Sequence, residues 1–420
     1  MMNIKDIKHD LIRNIKTYKD ELLDTKELSL PAKKNFVDIF QGMLIANDTS
    51  LKKISEQILP KEHNYRNHQM TTQEVITNEH RISKSLMTND YSKLDENILK
   101  IGSNLAFSDH VDILIDKSDL AKPYAKKMEN LKPIADGSDN YKVKNGFETT
   151  NFMMKTKQHN HYMLYSEVQD PNEMTQKEKE HVVIDKLDTV FSDKKRLYIG
   201  DSGYSGETNI NQFLQNDDDF ILRLKSNRTM DICESKEFDY TAEILGQLQS
   251  KWNLQTITTS VSYNGRCGTA KISMITGFLE KVFQELTFII ITSTIGSPMI
   301  LVTNLKCNDL LDAKKIYFKY LSRWKIEQSF KFMKEQYKLE KFHVRSFQSI
   351  QNIYKLVNII FNYFAFLLKR KDSLLIKYLI EISLNINFKK DVNFQYYRIA
   401  DGIKNTFTKP NKNLSECILY

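Results

Sequence analysis

YLSRWKIEQSFKFMK, residues 320–334, sets Tyr320, Arg323, Glu327 and Lys334 at offsets of 0, 3, 7 and 14. On one α-helix advancing about 100° per residue they fall near 0°, 300°, 340° and 320°, a stripe about 20 Å long. A carboxylate there can ligate a divalent cation, while a phenol, a guanidinium and an ammonium beside it can hold phosphate oxygens. The same spacing also suits a solvated helix carrying an Arg323–Glu327 ion pair one turn apart.

Upstream, RLYIGDSGYSG (196–206) reads as an apolar strand that delivers Asp201 to its C-terminal end, where Gly203 and Gly206 let the chain turn. Ligands of open α/β sheets bind at that edge. HVDILIDKSD (110–119) is a second strand, ending at Asp116, with Asp112 on the same alternation face and Asp119 just beyond as rival candidates. Three carboxylates from two strands and a helix suit in-line displacement at phosphorus, which benefits from two divalent ions about 3.5–4 Å apart.

Period changes along the chain predict its organisation. Residues 1–105 read as a helical domain, with three-to-four spacing in DLIRNIKTYKDELL and AKKNFVDIFQGMLI. From about 106 strands alternate with helices, including a helix over KSDLAKPYAKKMENL (117–131), which indicates an α/β core with a mixed sheet. That core is expected to occupy 106–227 and 304–385, interrupted by a β-rich insertion at 228–303 and followed by a weakly patterned polar tail, 386–420.

Composition narrows the class. With 41% hydrophobic and 27% charged residues the chain reads as an ordinary soluble protein. The apolar run Leu356–Leu368 is too short to span a bilayer, so no membrane role is expected. Four scattered cysteines without a C-x-x-C pair fit a reducing cytosol. The net charge is +8, and residues 306–345 hold 11 Lys/Arg against 5 Asp/Glu, whereas residues 1–100 hold 16 against 15. That local excess suits phosphate contact or, equally, a solvated helix face.

The pattern Y-x2-R-x3-E-x6-K, met in full by Tyr320, Arg323, Glu327 and Lys334, resembles the signature of DDE transposases of the insertion-sequence-four family. RLYIGDSGYSG with DDDFILRLKSN is similar to that family's second-Asp block, and LIDKSDLAKPYAKKM to its first; the likeness covers roughly residues 105–350. The resemblance implies a ribonuclease-H-like mixed-sheet core, with Asp116, Asp201 and Glu327 binding two Mg²⁺ or Mn²⁺ ions. Tyr320, Arg323 and Lys334 would grip phosphates, with Arg223, Lys225 and Arg345 as secondary contacts. The insertion would help hold a hairpin or flipped base, with Trp252 either stacking there or packing in the core. Partners would be double-stranded DNA, both terminal inverted repeats read by the N-terminal helices and target DNA, and a second copy in a homodimer. The resemblance places the protein in the bacterial cytosol at the nucleoid. An inactive, element-derived DNA-binding protein and a structure-specific nuclease on the same core are the competing readings.

Overall fold

The computed structural model describes residues 4–58, 71–136, 139, 142–173, 175–225, 228–232, 239–241, 254–263, 266–370, 374–383 and 394–408 of the 420. The chain divides into two compact units: Phe107–Asp116 with Lys177–Glu327, and Met1–Ala106 with Lys117–Gln176 and Gln328–Tyr420.

The unit that contains residues 177–327 is built on a sheet. Strand β1 (His110–Ala121) contributes its first half, followed in spatial order by β5 (Lys195–Gly200), β6 (Asp219–Arg223), β12 (Met299–Thr303), β11 (Leu286–Ser293), β10 (Arg266–Leu279), β7 (Thr229–Ile232) and β8 (Asp239–Thr241), with β9 (Ile257–Tyr263) also paired to β10. β1, β5 and β6 are parallel, and their register aligns Ile115 with Gly200 and Gly200 with Leu222. VDILI, RLYIG and FIL are nearly continuous apolar runs, the composition of parallel strands covered on both faces. Val111, Ile113, Ile115, Tyr198, Ile199, Phe220, Ile221 and Leu222 are accordingly buried. Helix α6 (Gln176–Val190) precedes β5, and α7 (Glu207–Gln215) connects β5 to β6 and packs on β6 through Phe213, whose ring stacks on Tyr198. Arg196 and Asp218, both buried, form an ion pair across β5 and β6.

Strands β9 to β12 fall within residues 228–303 and join the sheet by hydrogen bonds. β12 pairs antiparallel with β6 (Val302 with Leu222), and β11 then pairs with β12 and β10 with β11. Helix α8 (Leu310–Leu321), capped by Asp309, packs against β10, β9 and β6.

The other unit carries α1 (Ile4–Leu22), α2 (Leu30–Ala46), α3 (Leu51–Ser55), α4 (Thr72–Thr88) and α5 (Asp95–Leu105). β2 (Lys132–Asp136), β3 (Lys142–Lys155) and β4 (His161–Val168) form antiparallel pairs, β2 with β3 and β3 with β4. The helix expected over 117–131 is absent. Lys122 N–H donates to Asn145 O and the Thr149 hydroxyl to Ser118 O, so β1 continues to Ala121 antiparallel to β3. Pro123, with no N–H and a fixed φ, opposes a helix through that point.

The apolar run read as a core helix is the centre of α10 (Phe347–Leu367), buried along nearly its whole length and packed on β4. Asn362 locks the two together, donating to Met163 O at 2.8 Å and accepting from Met163 N at 2.6 Å. The expected polar tail contains α12 (Tyr396–Thr408), an amphipathic helix packed on α11 (Leu374–Ser383) and α2. Among the described residues no helix is long and apolar enough to cross a membrane.

Candidate active site

Register places the first two acids. One step beyond the row Ile115–Gly200–Leu222, three parallel strands present Asp116, Asp201 and Arg223 at one sheet edge. Asp201 Oδ1 accepts from Ser202 N at 2.6 Å and so caps a single tight turn, Ser202–Tyr204. The glycine that space demands here is Gly200, where an added Cβ would lie 3.1 Å from Leu222 Cδ2 and from Tyr204 Cβ. At Gly203 and Gly206 an added Cβ would meet nothing. Close packing of the strand on its turn, more than the later glycines, fixes where Asp201 emerges.

The Tyr320–Lys334 segment is two helices. α8 ends at Leu321 and α9 spans Trp324–Gln336. Across the junction Ser322, Arg323, Lys325 and Ile326 each bond three residues back, and the Ser322 hydroxyl donates to the Lys319 carbonyl at 2.6 Å. Such bonds tighten the backbone and compete with helical pairing, so the single straight stripe expected from the spacing does not form. Tyr320 sits in the last turn of α8, Arg323 in the break, Glu327 in the first turn of α9 and Lys334 in its last.

The break turns Arg323 onto the strand ends. One guanidinium nitrogen donates to Asp116 Oδ2 at 2.9 Å and another to Glu327 Oε1 at 2.6 Å. Burial opposes the charge on Arg323, but Asp116, Tyr320, Glu327 and Asp201 outweigh it and hold the guanidinium firmly protonated. All three acids therefore act on one cationic centre. Tyr320, 5% exposed, lies with its ring 5.9 Å from the guanidinium carbon. Burial pushes its phenol up to about 12, with Asp201 adding to the rise and Arg323 and Arg223 opposing it. At neutral pH Tyr320 is thus a hydrogen-bond donor. Tyr204, also buried, is raised by burial and by Glu180, Asp116 and Asp201.

Beside this centre lies an open cavity of about 230 Å³, lined by Arg223, Tyr317, Tyr320, Arg323 and Trp324 together with residues of β9, β11 and β12 and the Ile295–Ser297 loop. A family model for the transposase DDE domain matches residues 107–363, more than half of the chain. The chain belongs to the transposase DDE domain family. No curated protein matches its sequence. Among solved structures it is similar to a piggyBac transposase synaptic complex with hairpin DNA, with a TM-score of 0.46 and 12% identity, covering 96% of this chain and 79% of that one.

In this DDE-family protein the remaining sequence candidates lie elsewhere. Lys334 belongs to the other unit, where it donates to Asp119 at 3.0 Å and pairs with Glu340 at 3.0 Å. Asp119 is thereby neutralised by Lys334, and Asp112 by Lys319 at 2.9 Å, which leaves Asp116 as the one carboxylate of the three in contact with Arg323. Lys225 is exposed beyond β6, and Arg345 is exposed ahead of α10, its carbonyl accepting from Glu129 N. Trp252 lies outside the described residues. The aromatic that does border the site is Trp324, one residue after Arg323, with Tyr317 one turn before Tyr320. Both stand inside or beside the quoted segment, so the signal for them was the motif's own aromatic neighbours.

Oxygen donors suit a hard divalent cation, and two carboxylates, Asp116 and Glu327, already share one positive charge, with Asp201 adding to the negative field there. As they stand, no three His, Cys, Asp or Glu side chains among the described residues are grouped to hold a metal ion. Arg323 occupies the place between Asp116 and Glu327.

Proposed function

We propose that this protein is an active transposase of the insertion-sequence-four type, cutting DNA at the ends of its element and joining the freed 3′-OH to target DNA. The observation that carries the reading is that Asp116 and Glu327 share Arg323 while Asp201 follows the neighbouring strand in the same register. Asp116, Asp201 and Glu327 would hold divalent metal, Mg²⁺ or Mn²⁺ as two ions. When bound, such ions activate an attacking oxygen and stabilise a leaving one.

The chain's own residues supply the rest. Tyr320, protonated at neutral pH, donates to a phosphate oxygen beside the reacting centre. Arg323 and Arg223 offer guanidinium forks matched to phosphate geometry. The aromatic-lined cavity next to them has room for a flat group and suits a base displaced from the stack, as relatives' insertions would hold one. Lys225 would add phosphate contact on this unit, Lys334 and Arg345 would contact phosphate from their own, and the helices of residues 1–105 would read the terminal inverted repeats. A homodimer would pair two ends, working on double-stranded DNA in the cytosol.

Incubation of the purified protein with labelled terminal-repeat DNA and Mn²⁺ tests the reading. Nicking at the repeat boundary followed by strand joining is expected, and cleavage that survives Asp201→Ala refutes the triad. Equal cleavage of unrelated duplexes would favour a nuclease on this core instead.

A further inference from the structure

We infer that Arg323 is the resident counter-ion of the acidic cluster in the free protein and leaves it when a DNA phosphate draws it away, so that divalent metal and DNA bind cooperatively through this one side chain. The inference rests on the proposed reading of Asp116, Asp201 and Glu327 as metal ligands.

Three observations carry it. First, the guanidinium uses the oxygens a metal would need: Asp116 Oδ2 at 2.9 Å and Glu327 Oε1 at 2.6 Å. A cation bound to those oxygens at about 2.0–2.1 Å would crowd a like charge already seated on them. Both cannot occupy the position together. Second, the seat satisfies Arg323 incompletely, because its buried Nε–H finds no acceptor there. A phosphate accepts from a guanidinium in bidentate fashion, which a split grip on two separate carboxylates does not reproduce. Third, Arg323 has somewhere to go. It lines the adjacent cavity together with Arg223 and Tyr320, and it stands in the backbone break between α8 and α9.

The consequence is a linkage. In the free protein metal must displace an internal cation, so its apparent affinity is low; with DNA bound the guanidinium is already engaged and the carboxylates are open. Coupling of this kind is reciprocal, so metal must strengthen DNA binding by the same factor that DNA strengthens metal binding.

The test counts free Mn²⁺ by electron paramagnetic resonance during titration of the wild-type chain, Arg323→Met and Asp201→Ala, each with and without a short duplex, with the duplex alone subtracted. The wild type is expected to bind Mn²⁺ more tightly with duplex by roughly 5–150-fold, the range of typical couplings. Arg323→Met should bind Mn²⁺ tighter by a comparable factor without duplex and gain little on adding it. Should Arg323→Met bind no tighter than the wild type while Asp201→Ala abolishes binding, the counter-ion role is overturned and the metal site stands. Binding indifferent to Asp201→Ala overturns the metal-site reading and the inference with it. If circular dichroism shows that Arg323→Met has not folded, the wild-type titrations decide alone, and an Mn²⁺ affinity unchanged by duplex overturns the coupling.

Discussion

Arg323 and Asp116 are 207 positions apart in the chain and 2.9 Å apart in space, each with most of its side chain withdrawn from water. The pair exists because the parallel pairing of β1 stops at Ile115, beside the break between two helices. Asp116→Asn keeps the shape and an acceptor but removes the charge that holds the guanidinium. Cleavage of terminal-repeat DNA is expected to fall by more than the roughly 10–100-fold that loss of an outer-shell metal partner costs. Stability without metal should fall by about 1–3 kcal/mol. Gel assays and urea unfolding measure the two effects, with Asp112→Asn and Asp119→Asn as comparisons; activity lost in one of those and kept in Asp116→Asn would move the ligand assignment.

Lys334 bears a structural load that its place in the signature does not announce. It holds Asp119 and Glu340 together, and Glu340 also accepts from Ala121 N. Lys334→Met leaves two largely buried carboxylates facing each other. A loss of about 3 kcal/mol is expected in urea unfolding, partly recovered when Asp119→Asn is added. A variant as stable as the wild type would restrict Lys334 to phosphate contact.

The pH dependence of stability has an identifiable contributor in Lys122. Its ammonium nitrogen donates to Glu340 O at 2.6 Å and Phe342 O at 2.8 Å over the Phe342 ring, and burial pulls its pKa down to about 7 from 10.5. Between those values the unfolded chain binds the extra proton, so stability must rise with pH from about 7 to 10 and the gain must vanish as pH falls through 7. The difference between wild type and Lys122→Met should climb over that window, by up to about 1.4 kcal/mol per pH unit. A flat difference would show that Lys122 stays charged in the fold.

Gly402 sets how closely α12 approaches α11. An added Cβ would stand 2.3 Å from Leu379 O, a backbone atom that cannot swing aside. Gly402→Ala should therefore lower stability by about 1–3 kcal/mol despite its helix-favouring side chain, read as a lowered melting temperature. An unchanged or raised melting temperature would mean that the two helices separate at no cost.

Much of the unit that holds residues 177–327 was legible in the sequence because strand identity there is written in short apolar runs. HVDILID, RLYIG and DFILR are all strands; Asp201 follows directly on the second, and Asp116 follows the last parallel pair of the first, which runs on to Ala121. Non-local hydrogen bonds were not legible. Residues 117–121 have helical spacing, yet pairing of β1 with β3 at Ser118–Thr149 and Lys122–Asn145 overrides it. The stripe at 320–334 was counted on an unbroken helix, whereas Ser322 and three-residue backbone bonds divide it. That division carries Arg323 to Asp116. The tail escaped notice because its pattern has meaning only against partners: Tyr396, Ile399, Ala400 and Ile403 are buried, and Asn405 donates to Ile382 O on α11.

The antiparallel seam between β6 and β12 has an engineering consequence. A β-rich stretch between β6 and α8 invites removal to make a smaller protein. Here the strand bearing Arg223 would lose its neighbour, since Val302 and Leu222 pair across that seam. Deleting 228–303 would bare the backbone of β6 as an open border, ready to recruit a strand from another molecule. A miniaturised version must keep β11 and β12 and draw its savings from residues beyond them.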